Sequence, residues 1–196
     1  ALQIRAAWTA GTKGGAGRES AAVSEPQVDP STAPTIVGAP ASETDATIVF
    51  IAFAREEEGL IGSGAYVRSL SEAQRAKVDA MINLDTLAVN GTYSWKKNST
   101  RALLDRFNQV SGEGQAVTEA FLNGGDADSS TFRDAGIPAV TIFGASQSVI
   151  FDTIHSENDN MGAFSLKEYK NAYMLTLAAL RSLDRAPLGP VAPGSI

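Results

Sequence analysis

Thr47-Ile48-Val49-Phe50-Ile51-Ala52-Phe53-Ala54-Arg55-Glu56-Glu57-Glu58-Gly59-Leu60-Ile61-Gly62-Ser63 changes character twice within seventeen residues. Its first part is rich in β-branched and aromatic side chains, the composition of a buried strand rather than a helix. Its last part, continuing through Gly64-Ala65-Tyr66-Val67, carries small residues that let a helix pack closely against a sheet. Between the two stand three consecutive glutamates. In an open α/β sheet, ligands bind at the carboxyl ends of the strands. Adjacent carboxylates repel, so an acidic triplet there is favourable when water, a helix N-terminus or a cation takes up the charge. A solvated, acidic first turn of a helix accounts for the same three residues.

Working downstream, a helix is expected over residues 60–70, and Ser71 is placed to cap a further turn. Lys77-Val78-Asp79-Ala80-Met81-Ile82-Asn83-Leu84-Asp85 reads as a second buried strand that ends in a carboxylate. Residues 86–97 form a loop or hairpin. A helix over 100–110 presents Leu103, Leu104 and Phe107 on one face. The acidic, glycine-containing loop at 123–130 leads into a short helix, which Gly136 closes. Ile137-Pro138-Ala139-Val140-Thr141-Ile142-Phe143 is the third strand, with its proline at the tolerated first positions. A polar loop then carries the only histidine, His155. The last helix, over 165–183, is expected to face the core with Tyr169, Tyr173, Leu177 and Leu180.

Upstream the texture differs. Leu2-Gln3-Ile4-Arg5-Ala6-Ala7-Trp8 alternates in part, as an edge strand would. Residues 9–45 are dominated by Gly, Ala, Ser, Thr and Pro, and a structureless loop of that length is uncommon inside a compact domain. The chain therefore divides into an irregular segment at 1–45, an α/β domain at 46–184 and a Pro/Gly-rich tail at 185–196.

Composition narrows the partners. With 196 residues, 43% of them hydrophobic, the chain can bury one sizeable core. A net charge of −6, with Lys96-Lys97 as the only basic cluster, speaks against nucleic acid and anionic membrane. The absence of cysteine excludes disulfides and thiolate metal sites. No apolar run reaches the roughly 18 residues of a spanning helix, and the N-terminus lacks a signal peptide's apolar centre. A mature exported chain would look the same, and the sequons Asn90-Gly91-Thr92 and Asn98-Ser99-Thr100 lean toward a secreted protein.

The element order is that of an α/β sandwich, a mostly parallel central sheet flanked by helices. Glu56, Glu57, Asp85, Asp128 and His155 all lie just beyond strand ends or in loops that could converge there. Oxygen ligands with one imidazole suit zinc or manganese. A carboxylate beside such an ion can take a proton from metal-bound water. Taken singly, His155 reads equally as a surface histidine and Asp85 as a turn residue.

Four blocks, taken together, resemble a known family. They are Phe50 through Ser63, then Ile82-Asn83-Leu84-Asp85, then Asp128-Ser129-Ser130-Thr131-Phe132-Arg133-Asp134-Ala135-Gly136-Ile137-Pro138-Ala139-Val140, then His155-Ser156-Glu157-Asn158-Asp159-Asn160. In order and spacing they look like the co-catalytic di-zinc aminopeptidases. The three-layer zinc-exopeptidase fold of those enzymes is shared with glutamate carboxypeptidase, the transferrin receptor ectodomain and glutaminyl cyclase. The likeness covers about residues 46–184. It implies a zinc-dependent hydrolase that removes N-terminal residues from a peptide substrate. Glu56 would be the general base, Glu57 and His155 ligands of one zinc, and Asp85 a ligand of the other.

The departures are as specific. The family carries a His-x-Asp motif on an earlier strand and an aspartate bridging the two ions. Residues 1–45 contain no histidine, and their acids Glu19, Glu25, Asp29, Glu43 and Asp45 form no version of that motif. Ser129 stands where many members have a histidine. The expected fold therefore lacks part of its N-terminal third, and the pattern leaves one ion with Asp85 alone and the other with Glu57 and His155. Two functions follow from this: an active peptidase, or a metal-poor relative serving binding or self-assembly. A sheet deprived of the earlier strands would expose apolar surface, so completion of the core by self-association, or by contacts from an absent part of the polypeptide, is expected.

Overall fold

The computed structural model describes residues 5–9, as backbone, and residues 45–188. Expectations for residues 1–4, 10–44 and 189–196 lie outside the described residues. β1 (Arg5–Thr9) and β2 (Thr47–Ile51) are followed by α1 (Ile61–Ser69) and the single turn α2 (Glu72–Arg75). Then come β3 (Val78–Asp85), β4 (Tyr93–Trp95), α3 (Arg101–Val110), β5 (Thr118–Ala120) and α4 (Ser129–Asp134). β6 (Ala139–Phe143), α5 (Ile150–Thr153) and the long α6 (Leu166–Arg185) complete the order. Ser71 does cap α2. Its hydroxyl accepts from the Gln74 backbone N–H, while the Gln74 side chain accepts from Ser71 N–H, a reciprocal capping box.

The sheet is mixed and ordered β2-β1-β3-β6-β4-β5. β1 runs antiparallel to both β2 and β3, so β2 and β3 point the same way, and β6 lies parallel to β3. Three strands thus deliver their carboxyl ends to one edge of the sheet. β4 runs antiparallel to β6 and parallel to β5. The N-terminal strand was expected at an edge. It lies instead between β2 and β3, where both rows of its backbone groups pair, a demand that partial alternation in the sequence does not reveal.

Side-chain alternation assigns the two faces. Ala80 and Ile82 of β3, with Val140 and Ile142 of β6, pack with Leu103, Leu104 and Phe107 of α3 and Leu175, Ala179 and Leu183 of α6. The intervening Met81 and Ala139 pack on the other face with Val67 of α1 and Phe132 of α4. Helices therefore cover both faces, the three layers expected of the fold. A third cluster joins Trp95, Leu122, Ala127, Phe143 and Ile150 around the β4 side.

One helix corrects the expectation. The core-facing stripe of α6 is Ala172, Leu175, Thr176, Ala179 and Leu183, not Tyr169 and Tyr173, which are exposed. Alanines at two of those positions bring the helix close to α3 and the sheet, and the tyrosines sit at its margin with their hydroxyls in water. β4, β5 and α5 are short pieces inside segments that read as loop.

The second sequon is closed by the fold. Asn98 is fully buried, and its amide donates to Asp126 Oδ1 at 2.8 Å. Asn90 is exposed, but both ends of its side chain bond Ser146. Among the described residues no helix is long and apolar enough to cross a membrane.

Candidate active site

The acidic triplet leaves β2 through a turn that its own backbone knits. Gly59 and Leu60 N–H groups donate to the Glu56 carbonyl, Ile61 N–H to Arg55 O, and Gly62 N–H to Ala54 O. Arg55, Gly59 and Leu60 all take positive φ there. A Cβ at Gly62 would overlap the Ala54 carbonyl, so only glycine lets α1 start this close to the strand end. The turn leaves Glu56 half-buried and points Glu57 and Glu58 into solvent. The Arg55 guanidinium donates to both oxygens of Glu58, at 3.0 and 2.6 Å, and holds the Glu58 carboxyl below its ordinary range.

His155 reaches the same place from the loop after α5. Its backbone has φ 58°, and the loop closes on itself through Ser156, whose hydroxyl donates to the Asp152 and Thr153 carbonyls. His155 Nε2 lies 2.9 Å from Glu57 Oε1, with both side chains more than three-fifths exposed. Around this pair opens a cleft of about 890 Å³ lined by Phe53, Arg55, Glu56, Glu57, Glu58, His155, Ser156, Glu157 and Asp159. Its floor is aromatic. Phe53 packs against Tyr66 and Phe132 at centroid separations of 5.8 and 5.9 Å.

Three of the five residues singled out from sequence, Glu56, Glu57 and His155, therefore share one cleft. Asp85 does not line it. It ends β3 at the same sheet edge, half-buried, and accepts a hydrogen bond from Thr86 Oγ1 at 3.1 Å. Asp128 is fully buried behind α1 and accepts from Ser63 Oγ. Arg55, Glu58, Glu157 and Asp159 complete the cleft without having been singled out. Their closeness in sequence to Glu56 and His155 was the available signal. Five carboxylates against one guanidinium give the cleft a negative potential suited to a cationic group such as a peptide's terminal ammonium.

The donor set can be tested against zinc. Two ligands held at about 2.0–2.2 Å on a tetrahedral ion stand roughly 3.3 Å apart, and the 2.9 Å between Glu57 and His155 comes close to that. Number is the difficulty. Among the described residues no three His, Cys, Asp or Glu side chains are grouped to hold a metal ion, and catalytic zinc takes three protein ligands. The site matches zinc in donor type and falls short in donor count.

Comparison with known proteins agrees with the fold. The profile described as peptidase family M28 matches residues 34–180. Aminopeptidase YwaD of Bacillus subtilis (strain 168) is 29% identical over 154 residues, which are 70% of this chain and 32% of that protein. The LapA aminopeptidase of Legionella pneumophila superposes with a TM-score of 0.63 at 19% identity, covering 74% of this chain and 41% of LapA. BSAP, a zinc aminopeptidase from Bacillus subtilis, gives 0.61 at 20%, covering 71% and 36%. The chain thus spans about a third of the length of YwaD and less than half of either structure.

Proposed function

The chain belongs to peptidase family M28, and from that premise we propose that it is an aminopeptidase-type hydrolase acting on the N-terminal bond of peptides, with Glu56 as the proton carrier. The observation that carries this reading is the meeting of Glu56, Glu57 and His155 in one cleft at the carboxyl edge of β2, β3 and β6. Glu56 is half-buried at the cleft wall, held by a turn that four backbone hydrogen bonds close. A carboxylate so held can take a proton from the attacking water and return it to the leaving amine. Glu57, Glu157 and Asp159 supply the negative charge that draws in the substrate's ammonium group. Zinc is the cofactor this reading implies, and Glu57 and His155 supply two of the three donors such an ion takes.

The short donor set favours a second reading, in which the cleft binds peptide N-termini without cleaving them. Aminoacyl-nitroanilide hydrolysis, with and without added zinc, separates the two. Turnover in zinc supports the peptidase. Its complete absence, together with saturable peptide binding, would leave the binding role.

Self-association belongs to the same proposal. Met161, Phe164, Leu166 and Tyr173 are exposed, Met161 to 80%, and they offer apolar surface that a second copy could cover. Light scattering of the purified chain should give more than the 20.5 kDa of one copy. A compact monomer over the whole concentration range would rule it out.

A further inference from the structure

We infer that this chain carries no resident di-zinc centre, and that Glu57 and His155 alone form a two-donor, freely exchanging site for one divalent ion. The inference rests on reading the cleft as the family's active site, and it follows from three observations. First, His155 is the only histidine and there is no cysteine, so every additional donor the chain could bring is an oxygen. Oxygen-rich sites suit magnesium, calcium or manganese better than zinc. Second, no group of three potential ligands occurs among the described residues, and Asp85, the one residue left for a second ion, does not line the cleft. Third, Glu57 and His155 are more than three-fifths exposed and already lie against each other, 2.9 Å apart. An ion entering between them displaces that contact and competes with water on every side, so its net gain is small.

Removing a mere hydrogen-bond partner of a metal ligand typically lowers affinity about 10–100-fold. Losing one of only two ligands should cost at least that. The experiment uses the full chain, exposed to excess zinc chloride and then desalted into metal-free buffer. Elemental analysis should find well under one zinc per chain. Calorimetric titration with zinc chloride should show one weak saturable event, lowered at least about tenfold by His155→Ala and by Glu57→Gln and unchanged by Asp85→Asn. Both lowered variants alter exposed side chains, and unchanged thermal melts would confirm that the fold is intact.

Zinc retained at one or two per chain after desalting would overturn the inference. So would an Asp85→Asn loss equal to that of His155→Ala, or the absence of any saturable zinc binding. Hydrolysis is read separately. A desalted chain that turns over substrate without added zinc sinks the exchangeable site and leaves the peptidase reading standing. A chain that binds zinc as described and never hydrolyses a substrate sinks the peptidase reading and leaves this one.

Discussion

Ser63 Oγ donates a hydrogen bond to Asp128 Oδ1, and neither residue has any exposed surface. Ser63 lies in the first turn of α1, directly after the glutamate turn, and Asp128 immediately precedes α4. The bond therefore ties the helix that follows the glutamate turn to the helix that packs beneath Phe53.

Ser63→Ala should be destabilising out of proportion to its size. It removes one hydroxyl and leaves a buried carboxylate short of a donor, a change that costs about 1–3 kcal/mol in typical cases. Urea unfolding of the variant measures this directly. A midpoint indistinguishable from that of the parent chain would show that Asp128 is satisfied without Ser63.

Glu56 and Glu57 are neighbours in sequence with different proposed tasks, and their glutamine variants should separate. In zinc-supplemented assays, Glu56→Gln should lose about 10²–10⁴-fold in turnover, the usual range for a lost acid–base group, while zinc titrates it as it does the parent. Glu57→Gln should lose zinc binding first and turnover in consequence. Undiminished turnover in the Glu56 variant would dismiss it as the proton carrier.

The fold was legible wherever the signal was local. β2, β3 and β6 show as apolar runs, and α1, α3 and α6 show as helices within a residue or two of their ends. What failed was relational. Nothing in Tyr169 or Tyr173 says which side of α6 they occupy, because the periodic pattern of Ala172, Leu175, Ala179 and Leu183 is masked by small side chains. The interior place of β1 depends on partners that lie far along the chain. At the site, the glutamates and the histidine were readable because each follows a strand or its loop. The shortage of nitrogen and sulfur donors was readable too, since a chain with one histidine and no cysteine cannot supply another imidazole or a thiolate. The clasp of Arg55 on Glu58 was not, because it depends on a left-handed backbone.

Acid should unfasten the far end of the sheet before it reaches the core. Glu119 of β5 accepts hydrogen bonds from Arg101 and Asn108 of α3 and lies 3.3 Å from Lys96 Nζ. The Arg101 hydrogen bond leads in lowering its carboxyl from 4.5 to about 2. A depressed folded pKa gives stability that is present above the unfolded value and lost as pH falls through the folded one. Glu119's contribution is thus complete above about pH 4.5 and disappears towards about pH 2. It is small, because the Arg101 partner is exposed and water screens the pair. Melting temperatures over that window should fall less steeply for Glu119→Gln than for the parent. Parallel curves would mean that the cluster adds nothing to stability.

The glutamate turn offers the sharpest test of backbone against side chain. Arg55 has φ 57°, a left-handed conformation unfavourable for any residue with a Cβ. Its guanidinium bonds Glu58 through two nitrogens, but both side chains are more than half exposed, and exposed ion pairs contribute little. Arg55→Ala loses the pair and keeps the unfavourable backbone. Arg55→Gly loses the same pair and removes the backbone penalty, at the cost of a more flexible unfolded chain. Because the turn is locked at this φ by the Ile61 and Gly62 hydrogen bonds to Arg55 O and Ala54 O, relief of the penalty should win. The glycine variant should melt above the alanine variant, and zinc titration of Glu57 and His155 should be alike in both. If alanine melted higher, the left-handed turn would not be the conformation that the folded chain holds in solution.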